Sequence, residues 1–366
     1  MTVSSRRQHA ACPGTPIKVK KMKACVLHGK GDLRCEDIPE PKISGPNEVK
    51  VKILAGGICG SDQHYYKEGG IGSAIVVREP IVIGHEGCGI VEDVGSSVTA
   101  VKPGDMVVIR PARPCFKCKF CQKGMYSYCL NMRHLGSAAT FPHTQGLFAE
   151  KVVVHEAQCR AVKGMKPEVG AFAEPLGVAF NGVHSLGDVI GKDVLVMGAG
   201  PIGCLCAAAA KSLGADRVTI ADIRQEPLDI ALKMGADEAV NTKENPEKVA
   251  EWSKDKGRFD CALEATGNGF AAAQAMAMVM PEGTISQVGM FGTGACPKDL
   301  GAFATKALTW RAVFRFYSEF GPAVNALESG AIDPLPLLSA SFKAEDCVEA
   351  MEAALSPKTM KVEITF

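Results

Sequence analysis

Four cysteines, Cys115, Cys118, Cys121 and Cys129, stand in one short run with the spacing C-x2-C-x2-C-x7-C. Thiolates this close along a chain can close a tetrahedral shell around zinc and leave no position open for chemistry, the pattern of a structural metal site. Lys117, Lys119 and Lys123 in the same run offset the negative charge of four thiolates. The same residues could hold an iron–sulfur cluster or stay reduced and metal-free. An iron–sulfur cluster would need an electron-transfer partner.

A second set of donors is dispersed. Cys59 lies in Gly57-Ile58-Cys59-Gly60-Ser61-Asp62, and the pair His85-Glu86 lies between Gly84 and Gly87. A cysteine, a histidine and a carboxylate on separate glycine-flexed loops suit a catalytic zinc that keeps one position free for a reactant. Glu174, in Ala173-Glu174-Pro175-Leu176, falls where the texture of the chain changes, and there it could alternate with water as a further ligand. Taken singly, each of these is more often a structural residue; the case rests on their co-occurrence with the other motifs. His28, His64, His134, His143, His155 and His184 read as surface or packing residues, with His64 and His143 the two that could line a pocket.

The third motif is Gly198-Ala199-Gly200-Pro201-Ile202-Gly203, a glycine, x, glycine, x, x, glycine turn. It directly follows the apolar run Val194 to Met197 and opens a helix-like stretch from Ile202 to Leu213. Asp222 stands about twenty residues beyond Gly203, at the end of a second strand-like run. In that context the glycines let a pyrophosphate approach the amides of a helix N-terminus. Asp222 can accept from the adenosine ribose hydroxyls and repel a 2′-phosphate, which favours NAD over NADP. Arg224, two residues later, weakens that preference, because an arginine there could meet a phosphate. The competing reading is an ordinary glycine turn in another α/β fold.

These motifs need a scaffold, and the chain reads as two. From Lys23 to about His155 short strands alternate with dense glycine punctuation, as in Glu48-Val49-Lys50-Val51-Lys52-Ile53, and long helices are absent. From about Glu174 strands alternate with helices, which indicates a parallel sheet. The expectation is an α/β two-domain chain. It has a disordered extension over 1–22, a β-rich catalytic domain over 23–176, a dinucleotide-binding domain over 177–318 and a return to the first domain over 319–366. Pro13, Gly14 and Pro16 oppose an amphipathic transit-peptide helix in the extension.

Composition limits the partners. The chain has 366 residues, with 41 basic and 40 acidic side chains and a net charge of +1, so nothing calls for nucleic acid or an anionic membrane. No run reaches the roughly 18 apolar residues of a membrane span. Fifteen cysteines with no signal-peptide core at the N-terminus point to a reducing, cytoplasmic setting and metal ligation rather than disulfides.

Together these residues resemble the zinc-dependent medium-chain alcohol dehydrogenases over nearly the whole chain after Lys23. The segments Gly57 to Tyr65, Gly84-His85-Glu86 and Ala173 to Leu176 are similar to the sorbitol dehydrogenase branch. Further stretches, His64-Tyr65-Tyr66, Met132 to Pro142, Phe314-Arg315-Phe316 and Pro334 to Ala340, look like members of that branch that act on a sugar acid. The resemblance implies a GroES-like catalytic domain joined to a Rossmann domain, with the reaction in the cleft between them. It implies that Cys59, His85, Glu86 and Glu174 hold one catalytic zinc and the four clustered cysteines one structural zinc. It also carries Tyr65, Glu174, Arg315 and Phe316 over as substrate contacts, with Phe316 standing where sorbitol dehydrogenases commonly have tyrosine. The chemistry implied is oxidation of a secondary hydroxyl on a small sugar acid or polyol, with NAD or NADP taking the hydride. In that scheme Ser61 relays the proton, while Val288-Gly289-Met290, Phe291 and Phe314 wall the nicotinamide pocket. Arg113 and His143 are further candidates to meet a substrate carboxylate. A homodimer or homotetramer is expected, with an interface around Gly283 to Gly292.

Overall fold

The structure is a computed structural model that describes residues 20–292, 296–297 and 300–366. The expected extension over 1–22 lies outside the described residues as far as Val19, and its last two residues, Lys21 and Met22, instead open the strand Lys21–Gly29, with Met22 buried.

The strand Glu48–Gly57 is the centre of the first half. Val49, Val51 and Ile53 are buried while Lys52 is exposed, the alternation of a half-buried strand. It pairs antiparallel with Glu86–Val94 on one side and with Lys361–Thr365 on the other, and Lys151–His155 pairs along it as well. Met106–Ile109 and Cys159–Val162 extend the sheet beyond Glu86–Val94, and Leu338–Lys343 extends it beyond Lys361–Thr365 to give seven strands. A second, three-stranded sheet packs the hairpin Lys21–Gly29 and Asp32–Pro39 with Ile81–Val82. The chain beyond Pro334 thus rejoins the sheet built by its first third.

The second half is a six-stranded, all-parallel sheet. Numbered along the chain from Asp193–Met197, the strands stand in the order 3-2-1-4-5-6, the doubly wound order of a Rossmann fold. Its first helix is Pro201–Ser212, with Pro201 at the position where a missing N–H costs nothing. A later helix runs from Gln225 to Lys233. Thr309–Ala312, short and mostly exposed, adds a sixth strand at the edge that no apolar run announces.

The helix Ala173–His184 joins the halves. A boundary between 176 and 177 cuts this helix in its first turn, because Leu176, Ala179, Phe180 and Val183 are all buried along one continuous element. It packs on the Pro201–Ser212 helix and on Phe320–Glu328. A single apolar core runs from Ala55, Cys88 and Val108 of the first sheet through this helix to Val194 and Val196 of the second. Among the described residues no helix is long and apolar enough to cross a membrane.

Candidate active site and cofactor cleft

Gly57 closes the central strand, and a side chain there would collide with the Glu86 carboxylate. Cys59 follows as the residue capping the helix Gly60–Glu68. Gly84 adopts φ +89, where a β-carbon would strike the Phe148 ring, so only glycine fits the turn that presents His85 and Glu86. The two glycine turns bring ligand atoms of Cys59, His85 and Glu86 within 4.8 Å of one another.

Asp62, fully buried, braces this cluster. One of its oxygens accepts from the Cys59 amide at 3.0 Å, and the other accepts from the Gly84 amide at 3.2 Å. The second oxygen also lies 3.6 Å from His85 Nδ1. Burial alone would lower the His85 pKa, but the neighbouring Asp62 and Cys59 side chains outweigh it and hold the imidazole well above its ordinary value. His85 Nδ1 is buried and has no hydrogen-bond partner. A half-buried cysteine beside a buried imidazole and a buried carboxylate, in surroundings that favour positive charge, fits a zinc ion.

Around the cluster the structure brings some candidates close and turns others away. Ser61 Oγ lies 3.5 Å from His85 Nε2. Glu174 stands outside the tight triad, yet it interacts electrostatically with His85, Glu86, Lys361 and Arg315, and burial pushes its carboxyl up to about 7. Tyr65 is buried, and its hydroxyl accepts from the Ala138 amide at 3.3 Å. Arg315 is half-buried in the left-handed conformation at φ 57, and desolvation lowers its pKa against the opposing influence of Glu174 and Tyr65. Phe316, 3% exposed, stacks on Phe320 with centroids 5.7 Å apart, so it packs the core beside the pocket. His143 has both ring nitrogens engaged, on the Arg78 amide and the Thr140 carbonyl. His64 is paired with Glu68 on the surface, and Arg113 is exposed.

Three neighbours of the cluster escape a reading by motif. Lys361 forms an ion pair with Glu86, and both side chains are buried. The His134 ring meets the His85 ring edge-on at 5.4 Å. Desolvation, with Arg315 and His85 beside it, holds His134 well below the ordinary imidazole range. Asp62 is the third. The Asp62 signal was present in the sequence, since it sits three residues after Cys59 in a short glycine-flanked segment. For Lys361 and His134 no local signal exists.

The other cysteines also converge: the sulfurs of Cys115, Cys118, Cys121 and Cys129 lie within 4.8 Å of one another. Cys129 Sγ accepts from the amides of Cys115 at 3.1 Å and Asn131 at 3.3 Å. The Lys117 amide is the main cause that lowers the Cys115 thiol to about 6, while burial raises Cys121 to about 12. Amides turned toward sulfur fit a thiolate shell around a closed metal site.

In the cofactor half, Gly198 has φ +95, and a β-carbon on Gly203 would fall on the Gly198 carbonyl. Gly200 caps the Pro201–Ser212 helix, and a β-carbon there would meet nothing. The turn thus leaves open space at the N-terminal amides of that helix, beside Ile202. Asp222 ends the second strand, with one oxygen accepting from Ala199 N at 2.7 Å and the other from Ile223 N and Arg224 N. The Arg224 side chain donates to the Pro357 carbonyl at 2.7 Å, across to the segment before the last strand. Val288 and Gly289 both donate to the Glu264 carbonyl at 2.8 Å, while Met290 and Phe314 are exposed, at 81% and 48%.

The chain matches two family models, the alcohol dehydrogenase GroES-like domain over residues 45–164 and zinc-binding dehydrogenase over residues 201–329. It is 38% identical over 349 residues to L-idonate 5-dehydrogenase (NAD(P)(+)) of Escherichia coli K12, covering 94% of this chain and 99% of that one. It is 32% identical over 342 residues to sorbitol dehydrogenase of Bacillus subtilis, covering 93% and 95%. The crystal structure of L-idonate 5-dehydrogenase from Escherichia coli K-12 superposes with a TM-score of 0.88 at 36% identity, over 95% of this chain and 99% of that one.

Proposed function

The chain belongs to the zinc-dependent medium-chain alcohol dehydrogenases, and within that family of polyol and sugar-acid enzymes we propose that it oxidises L-idonate to 5-ketogluconate with NAD. The observation that carries this reading is the Cys59–His85–Glu86 cluster, with its histidine and glutamate buried, together with the half-buried Arg315, which interacts with Glu174 and Tyr65. Arg315 gives a counter-charge to a substrate carboxylate, while the cluster addresses a hydroxyl.

When bound at these donors, zinc supplies electrophilic polarisation of the hydroxyl, and the nicotinamide supplies the hydride acceptor. The residues of the chain do the rest. Cys59, His85 and Glu86 are the holding donors, and Glu174, outside that triad but in electrostatic contact with His85 and Glu86, is the residue that would exchange in. Ser61, 3.5 Å from His85, passes the hydroxyl proton outward. Tyr65 and Arg315 orient the rest of the substrate, and the buried walls around His85 and Glu174 exclude water. The balance is one secondary alcohol and one oxidised dinucleotide giving one ketone, one reduced dinucleotide and one proton. The four-cysteine cluster is taken to hold a second, structural zinc.

NAD is the favoured dinucleotide in this reading. Asp222 ends the second strand with a carboxylate, which would repel a 2′-phosphate, and the Arg224 side chain donates to the Pro357 carbonyl. A neutral polyol is the second reading, and one observation favours it: Glu174 already lies near Arg315 and offsets its charge. Initial rates with L-idonate and D-sorbitol, each with NAD and NADP, decide between them. A kcat/KM at least about tenfold higher on L-idonate, a difference of about 1.4 kcal/mol, supports the sugar-acid assignment. A preference for sorbitol overturns it in favour of the neutral polyol, and inactivity on both rejects the two together.

A further inference from the structure

The backbone of Arg315 is held in a conformation that a residue with a β-carbon seldom adopts. Its φ of 57 places it in the left-handed region, which costs a non-glycine residue on the order of 1 kcal/mol or more and persists only where the surroundings impose it. One side-chain hydrogen bond reaches this backbone directly. Asn181 Nδ2 donates to the Arg315 carbonyl at 2.6 Å in a partly buried setting.

Asn181 belongs to the helix Ala173–His184, as does Glu174. Glu174, Gly177 and Asn181 are spaced i, i+3 and i+7, so they share one face. Gly177 lies against the Phe316 ring, and a β-carbon there would come within 3.0 Å of it. One helix face therefore carries a candidate metal ligand, the flat spot that seats Phe316 and the amide that fixes Arg315. The guanidinium of Arg315 in turn interacts with Glu174 at the start of the same helix.

We propose that Asn181 is a positioning residue for substrate recognition: its amide locks the Arg315 backbone and so sets where the guanidinium meets the substrate. The substrate part rests on the reading of Arg315 given above; the mechanical link between the two residues does not. Asn181 needs no contact with the reacting atoms. An amide is suited to the task because it donates to a carbonyl without adding a charge beside Arg315 and Glu174.

The test separates the two parts. In Asn181→Leu, which keeps the branched shape and removes the donor, labelling of Arg315 by phenylglyoxal, followed by peptide mass spectrometry, is expected to speed up severalfold. Asn181→His, whose ring N–H can reach the same carbonyl, should label at the wild-type rate. Equal rates in wild type and Asn181→Leu overturn the link, whatever the enzyme oxidises. For the substrate part, Asn181→Leu should raise KM about tenfold, the scale of one hydrogen bond, for whichever of L-idonate and sorbitol the wild type oxidises. kcat should stay within about threefold and bound zinc unchanged. In an Arg315→Ala background the same substitution should leave KM unaltered. Multiplying effects in the double variant, or a loss of zinc or kcat instead of a KM change, overturn the positioning role.

Discussion

The ammonium of Lys361 is paired with the carboxylate of Glu86 beneath the Cys59–His85–Glu86 cluster, with both side chains buried, at 7% and 1% exposed. The pair ties the strand Lys361–Thr365 to the turn that presents His85 and Glu86 and gives Glu86 a counter-ion that does not depend on metal. Removing one partner of such a pair leaves an uncompensated charge in a low-dielectric interior.

Lys361→Met should therefore destabilise the metal-depleted protein by on the order of 3 kcal/mol, read by urea denaturation. Added zinc should restore more stability to the variant than to the wild type, because the metal becomes the only counter-charge for Glu86. An equal gain from zinc in both proteins would show that Glu86 does not face the ion.

Ser61→Ala should lower kcat by on the order of a hundredfold, the lower range for losing a positioned proton-transfer group. Zinc content and KM should be unchanged. Steady-state rates across pH, alongside metal analysis, provide the check. Full activity in the variant would mean that the proton leaves by a route that bypasses the hydroxyl 3.5 Å from His85.

Asp222→Asn keeps the size and part of the acceptor capacity toward Ala199 N and Arg224 N, and removes the negative charge. The ratio of kcat/KM for NADP to that for NAD should rise at least about tenfold. An unmoved ratio would place dinucleotide choice elsewhere in the cleft.

Acid stability should depend on Glu40, which is bonded to Lys50 and Lys151. The Lys50 hydrogen bond, with Lys151 and Lys20 behind it, holds its carboxyl at about 2. A folded pKa below the unfolded value means that the stabilisation is complete above about 4.5 and is lost as the pH falls from there toward 2. Glu40→Gln should be less stable than wild type at pH 7, and the gap should narrow at pH 3. Thermal midpoints at the two pH values measure it, and a gap that stays constant would remove Glu40 from the acid response.

What could be read from the sequence was whatever lies close along the chain. The four cysteines share one loop, and the glycines of 198–203 serve a turn whose geometry is local, down to the contact that forbids a side chain on Gly203. The alternation in Glu48–Ile53 reports its own burial. Lys361 and His134 could not be found that way, because each reaches His85 and Glu86 only through long-range pairing of strands and loops. Phe316 shows the opposite limit. Beside Arg315 it reads as a pocket residue, yet stacking on Phe320 and the bare face of Gly177 draws it into the core. The helix Ala173–His184 also blurred the domain boundary, since its buried face serves both halves at once.

The strand Lys361–Thr365 lies between Glu48–Gly57 and Leu338–Lys343, and its first residue neutralises Glu86. During synthesis, the loops bearing Cys59 and His85 emerge long before the lysine that balances them. The candidate metal pocket is therefore electrostatically unfinished until translation has passed Thr365 and that strand has slotted into its gap. Completion of that pocket is an event after synthesis, and a ribosome stalled short of Lys361 would carry a chain in which the Glu86 carboxylate still lacks its buried partner.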